Sequence, residues 1–200
     1  MSATNRGAVR APSDNYPTPS WATAAFVRWA KAAGLFEDVT SVLDPCAGDG
    51  SLLQTVRETA GADLVLCGLE IRPECEGPLR SVTMADGRGA AFIANALVTE
   101  FEVPRGAAVI TNPPYGQAQE FIQLWAPRVA WSAWLLRLNF LGSQKRAAWF
   151  RTGVGRPSHV LILPKRPSFT GGSTDSCEYA WIVWPGYGVR YLDTRVDWLV

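Results

Sequence analysis

The sequence has one histidine, two methionines and four cysteines among its 200 residues, and these shortages remove whole classes of chemistry. Cys46, Cys67, Cys75 and Cys177 form no CxxC pair and no zinc-type spacing, so no metal site is expected. His159, the lone histidine, opens a strand-like run and reads as structural. No run of about 18 uninterrupted apolar residues is present, as a membrane-spanning helix would need. Met1 to Arg10 lack the apolar segment of a signal peptide. The expectation is a cytoplasmic protein with reduced thiols and no membrane partner. There is no Gly-Lys-Ser/Thr phosphate loop and no Gly-x-Gly-x-x-Gly fingerprint. Finally, no Asp or Glu occurs between residues 121 and 174.

What is present describes one compact domain. At 48% apolar and 18% charged the chain is too apolar for disorder, and its length suffices to bury a core without staples. The polar, small residues 1–13 read as a disordered arm, and 14–200 as a single domain. The net charge of +1 hides an asymmetry. Residues 37–102 hold twelve acids against four arginines. Residues 121–174 hold eight bases: Arg128, Arg137, Lys145, Arg146, Arg151, Arg156, Lys165 and Arg166. Such a stretch points to a surface facing a polyanion. The alternative is that some of these arginines pair with acids of the other half across the fold.

Apolar periodicity places the elements. A helix is expected from Trp21 to Ala33, with Ser20 as its N-cap and Gly34 as its stop. Ser41 to Leu43 reads as a strand, Ser51 to Thr59 as a helix and Leu64 to Leu69 as a strand. A loop rich in Gly, Pro and charge follows, then a helix around 88–94. Ala107 to Thr111 reads as a buried strand, Gln117 to Trp125 as a helix, Trp131 to Leu138 as a strand and Ser143 to Arg151 as a helix. His159 to Leu163 and Tyr179 to Trp184 complete the pattern as an antiparallel hairpin. Trp131, Trp134, Trp181 and Trp184 fall in these strands and read as core. The alternation specifies an α/β, doubly wound, Rossmann-like sheet, mostly parallel, whose ligands bind beyond the strand C-termini.

Two constellations lie at such strand ends. Asp44-Pro45-Cys46-Ala47-Gly48-Asp49-Gly50 joins a strand to a helix. Its glycines allow a tight turn and close backbone approach, while Asp44 and Asp49 repel phosphate and suit a cationic ligand. Glu70, closing the next strand, can bind both hydroxyls of a ribose. A positively charged nucleoside fits this set. The second is Thr111-Asn112-Pro113-Pro114-Tyr115. The prolines fix the chain, so that the Asn112 side chain and the Pro113 carbonyl offer acceptors to a planar amine while Tyr115 stacks on its face.

On these residues the sequence resembles the S-adenosylmethionine-dependent DNA amino-methyltransferases, in particular the small N6-adenine enzymes of phages and prophages. Tyr16-Pro17-Thr18-Pro19 is similar to their N-terminal cofactor motif, Asp44 to Gly50 to the methionine-binding loop, Glu70 to the ribose acid and Asn112 to Tyr115 to the catalytic tetrapeptide. Leu135 to Phe140, Lys165 to Phe169 and Glu178 to Trp181 resemble later strands of the phage enzymes. The resemblance implies S-adenosylmethionine as cofactor and DNA as partner, with a homodimer or a specificity partner left open. It implies cofactor contacts from Tyr16, Thr18, Pro19, Asp44, Cys46, Ala47, Gly48, Gly50, Glu70, Ile71, Asn95 and Ala96. Asn95 stands where the family places an acid near the cofactor adenine, with Asp86 in reserve. Arg137, Lys145, Arg146, Lys165, Arg166 and Phe169 are the expected DNA contacts, Phe169 as a second stacking wall. Only the loops at about 72–94, 139–158 and 164–178 are left to read sequence. Cytosine-N4 or RNA-adenine methylation, protein glutamine methylation and a catalytically idle nucleic-acid-binding module are the alternatives.

Overall fold

The structure, a computed structural model, describes residues 17–61, 63–169, 176–190 and 192–200. The expected arm at 1–13 and Tyr16 lie outside the described residues. The elements run α1 (Ser20–Ala32), β1 (Ser41–Asp44), α2 (Ser51–Ala60), β2 (Val65–Glu70), α3 (Glu76–Thr83), β3 (Ala90–Ile93), β4 (Ala107–Thr111), α4 (Ala118–Trp125), β5 (Trp131–Arg137), α5 (Gln144–Phe150), β6 (His159–Ile162), β7 (Tyr179–Pro185) and β8 (Arg195–Trp198). Among the described residues eight strands form one sheet, in the order β3-β2-β1-β4-β5-β7-β6-β8. β1 to β5 are mutually parallel, β7 enters antiparallel between β5 and β6, and β8 runs parallel to β6.

Strand alternation divides the core into two layers. Ala133, Leu135, Trp181 and Val183 face α1 and α2, where they meet Phe26, Leu53 and Val56. Trp134, Leu136, Ile182 and Trp184 face the other way, against Phe121, Ile122 and Trp125 of α4. The four strand tryptophans are buried, as expected. Each indole N–H also finds an acceptor, as a buried polar handle requires. Trp131 donates to Leu35 O, Trp134 to Ser132 Oγ, Trp181 to Ala22 O and Trp184 to Gly155 O. His159 packs its ring 5.1 Å from that of Trp29, a structural placement.

Three expectations need correction. The helix is not at 88–94: a 3₁₀ turn at Pro73–Cys75 leads into α3, and Ala90–Ile93 is a strand paired with β2. Gly77 and Pro78 disguise α3, yet proline is tolerated in a helix's first turn, where its missing N–H has no intrahelical partner. Ser20 is the first residue of α1 rather than its cap; Pro19 holds the N-cap position, without a side-chain cap. β8 was not anticipated, because all four of its residues are exposed and carry no buried pattern.

The glycine loop rests on α3 with no spare volume. A Cβ at Gly68 would lie 2.7 Å from Leu79 Cδ1 and 2.9 Å from Ala47 Cβ. Gly68→Ala is therefore expected to overpack the floor beneath the loop and destabilise the protein by about 1–3 kcal/mol. Urea unfolding of the two proteins measures this; an unchanged midpoint contradicts the packing described.

Candidate active site

The parallel strands β1, β2, β3 and β4 end along one edge of the sheet, and their following loops enclose a cleft of about 280 Å³. Asp44, Cys46, Ala47, Gly48 and Asp49 come from the β1 loop, Glu70, Ile71 and Arg72 from β2. Asn95 and Leu97 follow β3, while Asn112, Pro114, Gln117 and Phe121 follow β4; Pro17 and Thr18 close the cleft ahead of α1.

Gly48 and Gly50 take φ of +56° and +87°, left-handed values that glycine adopts without strain. This turn aims the Gly48 N–H at Glu70 Oε2, 2.8 Å away. Glu70 Oε1 accepts from Arg72 N at 3.0 Å and from Arg72 Nε at 2.8 Å. Burial alone would raise the Glu70 pKa. The Arg72 side chain and the backbone N–H groups of Arg72 and Gly48 outweigh it, and Glu70 is held below the usual carboxylate range.

Asp44 behaves oppositely. It is 1% exposed, and desolvation pushes its pKa from 3.8 up to about 7, with the nearby Glu70 charge adding to the rise. Two donors oppose it, Thr111 Oγ1 at 2.6 Å and Cys46 N at 2.9 Å, both on Oδ1. Thr111 immediately precedes Asn112, so one carboxylate oxygen joins the two loops that carry the motifs.

Asn112 lines the cleft with its side-chain oxygen buried. The Tyr115 ring is half-buried, 5.8 Å from the Tyr179 ring and with the Arg137 guanidinium 5.0 Å over it. Arg137 Nε donates to Tyr179 Oη at 2.9 Å. Asn95 sits two residues beyond β3 and directs Oδ1 to the Leu97 N–H at 3.0 Å, which leaves its amide N–H groups as what it offers a ligand. Asp86 precedes β3, at the opposite edge of the sheet, and pairs with Arg88 and Arg57.

Other expected residues serve beside the cleft rather than on its wall. Gly50 caps α2 and packs on Leu79 and Val82. Ala96 is buried and its carbonyl accepts the Trp125 indole N–H. Pro19 holds the N-cap position of α1, and Pro113 is buried. Phe169 is placed differently from expectation: it is 7% exposed and packs edge-on against Tyr179, a core ring rather than an open wall. Arg72 and Thr111 are the partners that sequence reading missed. A basic residue two positions past Glu70, and a hydroxyl on the residue before Asn112, were the available signals.

Arg137 ends β5, Lys145 and Arg146 lie in the first turn of α5, and Lys165 and Arg166 follow β6, which puts all five toward the cleft edge. Arg128 and Arg156 precede β5 and β6 and fall at the opposite edge. Several of these bases are engaged locally. Arg146 donates to Phe140 O, Lys165 lies 4.7 Å over the Trp21 ring and Arg166 pairs with Glu178. Among the described residues no three His, Cys, Asp or Glu side chains are grouped to hold a metal, and no helix is long and apolar enough to cross a membrane.

The raised Asp44 pKa gives a signed pH dependence. The native state binds a proton that the unfolded chain releases above 3.8, so the Asp44 contribution to stability is present at low pH and is lost as pH rises toward about 7. The stability difference between the protein and its Asp44→Asn variant is expected to drift against the parent across that window. Denaturant titrations at a series of pH values measure it, and a difference independent of pH contradicts the burial argument.

No protein-family model matches the sequence, and no curated protein matches it. Solved structures do. A type I restriction-modification methyltransferase subunit from Streptococcus thermophilus superposes with a TM-score of 0.65 at 16% identity, over 92% of this chain and 47% of its own. This chain thus spans about half the length of that subunit. A protein assigned as a class I S-adenosylmethionine-dependent methyltransferase from Listeria monocytogenes gives 0.65 at 16% identity, over 94% of this chain and 68% of its own. The 23S rRNA methyltransferase ErmE gives 0.57 at 19% identity, over 86% and 70%. At such identities the likeness establishes the architecture: the chain has the Rossmann-like fold of the class I methyltransferases.

Proposed function

We propose that this protein transfers a methyl group from S-adenosylmethionine to the N6 amino group of an adenine in DNA, with the base rotated out of the stack. The observation that supports this reading best is that Asn112 and Pro114 line the same cleft as Asp44, Gly48 and Glu70.

The cleft's donor set fits such a cofactor. Asp44, Asp49 and Glu70 line it and favour a cationic ligand, and Gly48 offers no side chain to obstruct one. Glu70 is the group to hold a ribose diol. Its oxygens now take N–H donors from Arg72 and Gly48, so hydroxyls bind there by exchanging with the guanidinium bonds. Asn95, with its amide N–H groups, is the neighbour for a purine ring, and Thr18 also lines the cleft. When bound, the cofactor supplies an electrophilic methyl group on a sulfonium sulfur.

The remaining work falls to the chain's own residues. The adenine amino nitrogen is a weak nucleophile because its lone pair is delocalised into the ring. The Asn112 side-chain oxygen and the Pro113 carbonyl accept its two N–H groups and stabilise the positive charge that develops on nitrogen in the transition state. The two prolines restrict the backbone that carries both acceptors, so much of the acceleration is positioning. Tyr115 provides a stacking ring whose orientation is already set by Arg137 and Tyr179. Extruding the base costs a few kcal/mol. Arg137, Lys145, Arg146, Lys165 and Arg166 at the cleft edge supply the cationic surface that a phosphate backbone would meet.

The test is incubation of duplex DNA, single-stranded DNA, RNA and protein with methyl-labelled cofactor, followed by mapping of the modified atom. Label on adenine N6 of DNA is expected. Asn112→Ala is expected to lower the rate by about 10²–10³-fold while leaving cofactor affinity within a few-fold. Label confined to RNA or to protein would replace the substrate in this reading, and undiminished transfer by the variant would remove its mechanism.

A further inference from the structure

The outer edge of the sheet is as informative as its cleft. Among the described residues β8 is the last strand in the order and pairs with β6 alone. All four of its residues are exposed, including Val196 at 55% and Trp198 at 61%. Edge strands are usually blunted by proline, bulges or inward-pointing charge, because an open ladder recruits another strand. Here two large apolar side chains stand at the edge instead.

The backbone directions can be worked out. Arg195 N–H donates to Ser158 O and Leu199 N–H to Ile162 O, each at 2.9 Å. In a parallel ladder the groups of one strand face its neighbour at alternate residues. Residues 195, 197 and 199 therefore face β6, and Val196 and Trp198 turn their N–H and C=O groups to the open side. The Trp198 N–H bears this out: it is met by the Asp197 carboxylate, at 2.8 Å, and not by β6.

We infer that two copies of this chain pair through β8, antiparallel about a twofold axis at Val196, and join their sheets into one. Side-chain charge selects this register among those centred within β8. Centring on Val196 sets Arg195 opposite Asp197 of the second copy, twice over. Centring on Asp197 sets that carboxylate against itself, centring on Arg195 does the same for the guanidinium, and centring on Trp198 pairs neither. The favoured register also makes Val196 a hydrogen-bonded pair with its own copy, using the groups that point outward. Trp198 N–H exchanges its bond to Asp197 for the Thr194 carbonyl of the second copy, which frees Asp197 to meet Arg195. On the opposite face Val196 meets Val196 of the second copy, and Trp198 reaches it diagonally. The pairing owes nothing to the cleft, which lies beyond β1 to β4, and stands or falls separately from the methyl-transfer reading.

Light scattering coupled to size-exclusion chromatography of the full chain across a dilution series tests it. A dimer that dissociates on dilution is expected. Arg195→Asp and Asp197→Arg each place like charges opposite one another and are expected to halve the mass. An equimolar mixture of these two variants restores both attractive pairs and is expected to regain the dimer, as is the double variant Arg195→Asp/Asp197→Arg. Val196→Pro removes the outward N–H without touching the β6 ladder and is expected to be monomeric with an unchanged thermal midpoint. A parent protein that stays monomeric at every concentration overturns the inference. So does a dimer that survives both single charge reversals, or a mixture that remains monomeric.

Discussion

One buried oxygen holds the candidate site together. Asp44 Oδ1 receives the Cys46 N–H on one side and the Thr111 hydroxyl on the other, and so links the glycine loop after β1 to the Asn112 segment after β4. The two strands are neighbours in the sheet, but adjacency alone fixes only their backbones. The shared acceptor fixes how the two loops leave them. Burying a carboxylate so completely is costly, and the two donors plus a pKa near neutrality are how that cost is contained. Glu70, one strand further out, shows the opposite solution: a guanidinium and backbone N–H groups keep it ionised beside the same loop. The cleft thus carries two carboxylates of different character within one small space, one readily charged and one poised.

Around this link the tryptophans act as cross-ties. Trp181 and Trp131 fasten the α1 side to the sheet through backbone carbonyls, and Trp125 fastens the loop carrying Asn95. A hydrogen bond from a rigid, buried indole fixes direction as well as distance, which purely apolar packing does not. The bases of the acid-free stretch follow a related logic. The described structure does not use them chiefly to balance the acids of the first half: Arg128 reaches Phe101 O and lies over Trp125, Arg156 reaches Leu192 O, and Arg166 pairs with the nearby Glu178. Arg146 likewise meets the Phe140 carbonyl and Lys165 the Trp21 ring, neutral partners rather than acids of the first half.

The sequence made the inner architecture readable because buried strands of a doubly wound sheet are continuous apolar runs, and both motif loops fall where such runs stop. Readability failed where burial stopped dictating residue type. β8 alternates Arg, Val, Asp and Trp with no face buried, and α3 begins with Glu-Gly-Pro, a string that reads as a loop until the packing of Leu79 beneath Gly68 is seen. The site was legible to the same degree. Asp44, Gly48, Glu70 and Asn112 stand at strand ends, and their placement follows from topology. Arg72 and Thr111 stand beside Glu70 and Asn112 in sequence, but adjacency alone does not say that their side chains turn onto Glu70 and Asp44, and Phe169 was read as a wall because a loop residue beside two cations gave no sign of folding back onto Tyr179.

The bond from the Trp181 indole to the Ala22 carbonyl spans 159 residues. It anchors the first turn of α1, and with it the Pro17 and Thr18 wall of the cleft, to the next-to-last strand in chain order. α1 also packs on α2, where Phe26 meets Leu53 and Val56, so the indole bond is a second and directional fastening of the same wall. The wall ahead of α1 is thus held from two directions, by the helix that follows the glycine loop and by a strand 159 residues away in sequence.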